Sequence, residues 1–362
     1  MRLNKGIEDI APYVSGTAIE IAQKKYGIKK WVKMNSNENP LGPSKKALQK
    51  AIEAAGSMNL YPESSNLALR EKISQKFDIP VDMCTVGNGA DEIIYYIAMG
   101  FLNDGDEVII PEITFPIYEI AAKIMRANIV KSRMKGYEID LDSIVDKISD
   151  KTRMVFLANP NNPTGHAFNH EKIERFIAKL PESVLLVHDE AYGDFADTSS
   201  FPNTVSLLKN GVKNLIAIRT LSKAYGFAGL RLGYCFAFPE VIDVIHRIKL
   251  PFNISIITQK AAEAAIDDEE FIEETLRVTR QGRDFIYRVL DELGLGYVPS
   301  STNFILIDTG RDSAEVVEEL MKMGILVRGA ANYGYPTCIR VTVGTHEDNV
   351  KFVEALKKLY GR

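Results

Sequence analysis

Short apolar runs alternate with amphipathic stretches through the middle of the chain, and this rhythm limits the fold more than any other feature. "DEVIIPE", "NIVKSRM", "TRMVFLANP", "SVLLVHDEA", "NLIAIRT" and "RLGYCFAF" read as strands, while "DEIIYYIAMGF", "PIYEIAAKIMRA" and "HEKIERFIAKL" read as helices. Strands that are apolar almost throughout are covered on both faces, and helices between them make βαβ units. The prediction is an α/β chain with a mostly parallel sheet. The rhythm changes after about Ser255. A long helical stretch to Leu293 leads into "FILIDTG", "SAEVVEELMKMG", "ILVRGA", "CIRVTVGT" and "HEDNVKFVEALKKLY", a β-α-β-β-α order that reads as a smaller α+β unit. A length of 362 residues suits one large and one smaller domain better than a single core. The expected division is an arm at 1–35 packing on the small domain, a large domain at 36–254, a connecting helical stretch at 255–293 and a small C-terminal domain at 294–362.

Charge and composition exclude several classes. Net charge is −4, which lacks the basic footprint of a nucleic-acid binder. No apolar run approaches the roughly 20 residues of a membrane span, and "MRLNKGIEDI" has no apolar signal core. The three cysteines, Cys84, Cys235 and Cys338, lie far apart with no C-x-x-C pair. A reducing, cytoplasmic setting is expected, with no structural zinc and no disulfide framework.

Open parallel sheets collect ligands beyond the carboxyl ends of their strands. The polar and glycine-rich clusters fall there: "GNGADE" after "CTV", "PEITFPIY" after "VII", "NPNNPTG" after "MVFLA", "DEAY" after "LLVH" and "TLSKAYG" after "NLIAIR". One composite site is the simplest account. "GNGADE" suits a phosphate cradle at a helix N-terminus, formed by Gly89, Ala90 and Asp91, and equally suits a plain glycine turn with an acidic cap. Glu92 stands where a dinucleotide fingerprint has its third glycine. Asp189 at a strand end is open to three readings: helix cap, metal ligand, or counter-ion of a protonated heterocycle. Neighbouring His188 points to the other face of a strand, and no second His or Cys lies at ligand spacing, so no metal is expected. Lys223, between Ser222 and Ala224 in a small-residue turn, suits a desolvated amine nucleophile with a lowered pKa, against the common alternative of a solvated surface lysine. Arg231, eight residues on, offers a planar fork for phosphate. A Schiff-base lysine, phosphate donors and a carboxylate for a pyridinium together describe pyridoxal phosphate.

With "NPNNPTG", "DEAY" and "SKAYGFAGLRLGY" in this order, the chain resembles the fold-type I, class I/II pyridoxal-phosphate aminotransferases over essentially its whole length. "NSNENPLGPS", "YPESSNLALR", "GNGADEII" and "ILVRGAANYGYPTCIRVTVGT" resemble the histidinol-phosphate branch. The resemblance implies that Lys223 carries the cofactor, that Asp189 pairs with its ring nitrogen, and that Tyr192 and Asn162 bond the ring hydroxyl. It implies that Phe115 stacks on the ring, and that Ala90, Asp91, Ser222 and Arg231 hold the phosphate. Tyr61 would reach the cofactor phosphate of a neighbouring subunit in a homodimer. Arg340 would clamp a substrate α-carboxylate, Tyr13 and Arg328 would lie at the substrate's own phosphate, and Asn37 would also contact substrate.

The implied reaction moves an amino group between L-histidinol phosphate and 2-oxoglutarate, within histidine biosynthesis, by ping-pong turnover. Lys223 would move the Cα proton while Asp189 keeps the ring nitrogen protonated. The alternatives are an aromatic amino acid aminotransferase, a threonine-phosphate decarboxylase, and a non-catalytic effector-binding module. The last needs an attached DNA-binding domain, and no helix-turn-helix segment precedes the first motif at about residue 35. "PYVSGTAIE" departs from the "PY-x-P-G-K" pattern at Ser15 and Thr17, on the substrate-phosphate side.

Overall fold

The computed structural model describes residues 5–12 and 18–361. The central apolar runs pair into one seven-stranded sheet: β1 (Cys84–Gly87), β2 (Glu107–Pro111), β3 (Asn128–Ser132), β4 (Thr152–Ala158), β5 (Leu185–Asp189), β6 (Leu215–Thr220) and β7 (Gly233–Phe236). Their spatial order is β1-β7-β6-β5-β4-β2-β3. The run from β6 through β5, β4 and β2 to β3 is parallel throughout. Strand β7 is antiparallel to both its neighbours. The link Leu221–Leu232 carries no helix, so the chain turns back on β6 instead of crossing over.

Alternate residues of each strand enter different cores. Met154 and Phe156 of β4, Val187 of β5 and Ile218 of β6 pack with the helices Gly89–Phe101 and Ile117–Ile124. Val155, Leu157, Leu186 and Ala217 pack on the other face, against the helices Leu67–Phe77 and Ile256–Ile266. Double coverage explains why these strands read as unbroken apolar runs.

The stretch expected as one connecting helix is two. Ile256–Ile266 begins at Ser255, whose side chain accepts from Thr258 N, and packs into the core of the seven-stranded sheet. The chain breaks at Asp267–Asp268, where Asp268 receives Lys46 Nζ at 2.7 Å. Glu269–Leu293 then runs into a second core.

That second core lies under a four-stranded antiparallel sheet: β8 (Gly296–Tyr297), β9 (Phe304–Asp308), β10 (Arg328–Gly329) and β11 (Cys338–Thr342), ordered β8-β9-β11-β10. "ILVRGA", read as one strand, is divided. Ile325–Leu326 pairs in parallel with Val32–Lys33, and Arg328–Gly329 pairs with β11. The N-terminal segment is divided likewise. Its Val32–Lys33 strand and its Ile19–Tyr26 helix meet the small-sheet unit, with Lys25 bonded to Glu318 at 2.9 Å. The Lys5–Ile7 turn lies instead against the Ile117–Ile124 helix.

Phe236 is fully buried on β7 and meets the Phe77 ring edge-on at 5.1 Å. Phe236→Ala leaves a large cavity beside the one strand that runs against its neighbours. We expect a loss of roughly 3–5 kcal/mol, read as a lower urea midpoint at unchanged slope.

Candidate active site

The ends of β1, β4, β5 and β6 open on one cavity of about 200 Å³, lined by Ala90, Asp91, Phe115, Tyr118, Asn162, Asp189, Tyr192, Ser222, Lys223 and Arg231, among others. Of the sequence-predicted residues, the cofactor set thus comes together, save Tyr61.

One end of the cavity is built for an anion. The helix Gly89–Phe101 points its N-terminus there, with first-turn N–H groups that lack intrahelical partners. Glycine is required at the start: Gly89 has φ +82°, and a Cβ there would sit 2.5 Å from Arg231 Nη2. A Cβ on Gly233 would meet Ala90 N at 2.4 Å, so β7 carries glycine where the helix crosses it. Arg231, itself at φ 56°, donates to Ser222 Oγ at 3.3 Å and to Asp91 Oδ2 at 3.0 Å. Both members of the Arg231–Asp91 pair are 41% exposed, so the pair is weak and can yield to a stronger anion. Glu92, in the place of a third glycine, accepts from Asn88 N at 2.6 Å and Asn253 Nδ2 at 2.7 Å, closing the helix start from outside.

The other end is built for a cation. Asp189 is buried at the end of β5. Burial pushes its carboxyl up, while Tyr118 Oη, donating at 2.6 Å, and Ala191 N, donating at 2.9 Å, pull it down; burial prevails. Tyr118 is fully buried, and burial drives its phenol well above the ordinary value, so it remains a donor. Its ring stacks on Phe156 at 4.8 Å and meets Phe115 edge-on at 5.7 Å. The sequence reading passed over Tyr118. Tyr118 lies in the first turn of the helix Ile117–Ile124, just after the loop that carries Phe115. Lys223 Nζ lies 5.4 Å from the centre of the Tyr192 ring.

His188 turns to the opposite face, with Nδ1 at 3.0 Å from Glu190 Oε1. Arg219 Nε donates to Glu190 Oε2 at 2.7 Å, and its guanidinium lies over the Phe77 ring. Among the described residues no group of His, Cys, Asp and Glu is gathered that could hold a metal ion.

The small sheet closes the cavity from the side. Arg340 on β11 is buried, donates to Asn162 Oδ1 at 2.6 Å, and leaves Nε without a partner among the described residues. Arg328 on β10 is its directly paired residue. Opposed residues share a face of the sheet. Their juxtaposition suits an anionic ligand.

Asn37 and Tyr61 do not line this chain's cavity. Asn37 is 1% exposed, and both ends of its amide are committed: Nδ2 to Tyr192 Oη at 2.8 Å and Oδ1 to Thr342 Oγ1 at 3.1 Å. Its side chain is bonded within the protein, to Tyr192 and Thr342. Tyr61 is 82% exposed, stacks on Phe252 at 4.5 Å, and is not among the residues lining the cavity. Tyr13, with Ser15 and Thr17, lies outside the described residues.

The donor set fits pyridoxal phosphate: a guanidinium, a hydroxyl and a helix start for the phosphate, a buried carboxylate for the ring nitrogen, and an amine for the aldehyde. The sequence model of the family described as Aminotransferase class I and II matches residues 29–356. The chain belongs to this family, and it is an enzyme of the aminotransferase class with the fold-type I α/β architecture. It is 40% identical to a histidinol-phosphate aminotransferase of Moorella thermoacetica over 99% of this chain and 93% of that protein. It is equally similar, at 40%, to one of Symbiobacterium thermophilum, over 98% of each. A crystal structure of histidinol-phosphate aminotransferase from Sinorhizobium meliloti, in complex with pyridoxal-5'-phosphate, superposes with a TM-score of 0.91 at 27% identity, covering 99% of this chain and 97% of that one.

Asp189 gives a stability prediction. Its folded-state value lies above its ordinary value of 3.8. It therefore favours folding when protonated, below pH 3.8, and that support is lost as the pH rises through the folded-state value. In cofactor-free protein at pH 7, Asp189→Asn should raise the thermal midpoint, and the gain should shrink as the pH falls toward 3.8. Scanning fluorimetry across pH checks this, and a lower midpoint at pH 7 contradicts it.

Proposed function

We propose that the chain is a histidinol-phosphate aminotransferase, exchanging an amino group between L-histidinol phosphate and 2-oxoglutarate in histidine biosynthesis. The observation that carries this reading is the Arg328–Arg340 pair at one cross-strand position beside Asn162. One donor ends in a phosphate and lacks a carboxylate at Cα, and the acceptor carries two carboxylates. Two adjacent guanidinium groups suit both, because each can take either anion. The names of the relatives at 40% identity support the same choice.

Bound in the cavity, pyridoxal phosphate supplies an aldehyde for amines and a ring that accepts electrons. Arg231, Ser222, Ala90 and Asp91 would hold its phosphate, and Phe115 would cover one face of its ring. Asp189, kept as an acceptor by Tyr118, would hold the proton on the ring nitrogen. Tyr192 and Asn162 would bond its ring oxygen. Lys223, as a free amine beside the substrate, would take and hold the proton from its Cα. Donor and acceptor then use one cavity in turn, which gives ping-pong kinetics.

The chain would act as a homodimer in the cytoplasm. Met58, Leu60 and Tyr61 in one segment and Leu250 and Phe252 in another are exposed, joined by the Tyr61–Phe252 stack, and an exposed apolar group of this kind suits an interface. Tyr61 would reach across it to the partner's cofactor phosphate. All three cysteines are free and buried, and no helix among the described residues is long and apolar enough to cross a membrane.

Arg328→Ala should raise KM for histidinol phosphate roughly ten- to a hundredfold, the worth of a charge-assisted contact of about 1.5–3 kcal/mol, and raise KM for 2-oxoglutarate too. Phenylalanine turnover should change little. Arg340→Ala should harm carboxylate-bearing donors more than histidinol phosphate. A wild-type kcat/KM higher for phenylalanine or tyrosine than for histidinol phosphate would replace this reading with an aromatic aminotransferase.

Mixed Lys223→Ala and Tyr61→Phe chains test the assembly. A heterodimer gathers both defects in one site and leaves the other intact, so activity should exceed that of either parent. An active monomer by light scattering ends the idea.

A further inference from the structure

Asn37 holds a backbone conformation, φ 54°, that side-chain-bearing residues seldom adopt, and Asn tolerates it better than most. Its hydrogen bonds run in one sense, from the Asn37 main chain through Thr342 and the Asn37 amide to Tyr192. Asn37 N–H donates to Thr342 Oγ1 at 2.9 Å. The Thr342 hydroxyl therefore accepts there and is free to donate, which it does to Asn37 Oδ1 at 3.1 Å. The amide NH2 faces Tyr192, and Nδ2 donates to its Oη at 2.8 Å. The phenol oxygen thus accepts from Asn37, and its own proton has no acceptor among the described residues. Asn303 Nδ2 donates to the Asn37 main-chain carbonyl at 3.0 Å, which fixes the backbone that carries the amide.

We propose that Asn37 is a positioning residue: it occupies the acceptor side of the Tyr192 phenol and so directs the phenol proton into the cavity, toward the ring oxygen of the cofactor. This rests on the reading of the cavity as a pyridoxal-phosphate site with Lys223 as its amine. A donor at the ring oxygen draws negative charge from the chromophore and eases loss of its proton. The pH midpoint of the bound cofactor's absorbance therefore reports which way the phenol points.

Asn37→Asp is the discriminating change. It keeps an acceptor for Thr342 and tolerates the same φ, but sets an acceptor where the amide donor stood. The phenol then donates to the new carboxylate and turns from the cofactor, and the added negative charge acts in the same direction. The midpoint should rise by about one pH unit, a tenfold change in the proton equilibrium. Asn37→Ala should raise it less, because water can supply a donor. Thr342→Val, which frees the amide to rotate, should also raise it, and it carries the test if either Asn37 variant fails to fold. Titration of wild-type and variant holoenzymes by absorbance gives the answer. Borohydride reduction and peptide mapping of the wild type come first. A label away from Lys223 overturns the reading of the cavity. A label on Lys223 with variant midpoints equal to wild type overturns the inference about Asn37 alone.

Discussion

The site depends on keeping one carboxylate, Asp189, out of water. An ionised group at this depth survives only with donors in place, and Tyr118 and Ala191 supply them. Tyr118 in turn stands on Phe156, and Phe156 sits one strand over, where β4 and β5 pair Ala158 with Asp189. The chemistry therefore rests on strand register. A slip of one residue would turn Asp189 to the far face and bring His188 or Glu190 into the cavity. The far face guards against this, because Glu190 is bound there by Arg219 of the neighbouring strand and by His188. Burial pushes Glu190 up, but the Arg219 charge and His188 hold it below its ordinary value, so the lock stays charged.

The two sheets contribute opposite halves of the recognition problem. The seven-stranded sheet supplies the residues that fit a cofactor, and the four-stranded sheet supplies the Arg328–Arg340 pair. Contacts along the seam are direct: Arg340 with Asn162, Asn37 with Tyr192, and Phe304 against the Tyr192 ring. An anionic ligand touching both halves would meet arginines at the seam.

What the sequence disclosed was local. "GNGADE", "NPNNPTG", "DEAY" and "TLSKAYG" each hold their chemistry within a few residues after a strand, and the strands themselves are long apolar runs. What it hid depends on partners far along the chain. The Asn37 amide is committed to Thr342, 305 positions away, so its isolation from solvent has no local signature. Tyr118 reads as one more residue of an amphipathic helix until Asp189 is brought above it. The break at Asp267–Asp268 hides in "DDEE", because acidic residues suit both a helix interior and a helix start. In "ILVRGA" one apolar run serves two sheets, and pattern alone does not show that Val327 separates them.

The fixed charges of the cavity narrow what it can hold. Arg231 and the helix start face an anion at one end, and the Asp189 carboxylate faces a cation at the other, with the Lys223 amine also lining the cavity. A ligand of uniform charge would satisfy one end and oppose the other. A doubly charged phosphate carried on a protonatable ring would suit both, and it would bring Arg231 more charge and more acceptor oxygens than Asp91 does. Asp189, which burial makes reluctant to ionise alone, becomes a comfortable carboxylate once a ring cation lies against it. Burial disfavours the Asp189 charge in the free protein, and a ring cation against it would favour that charge.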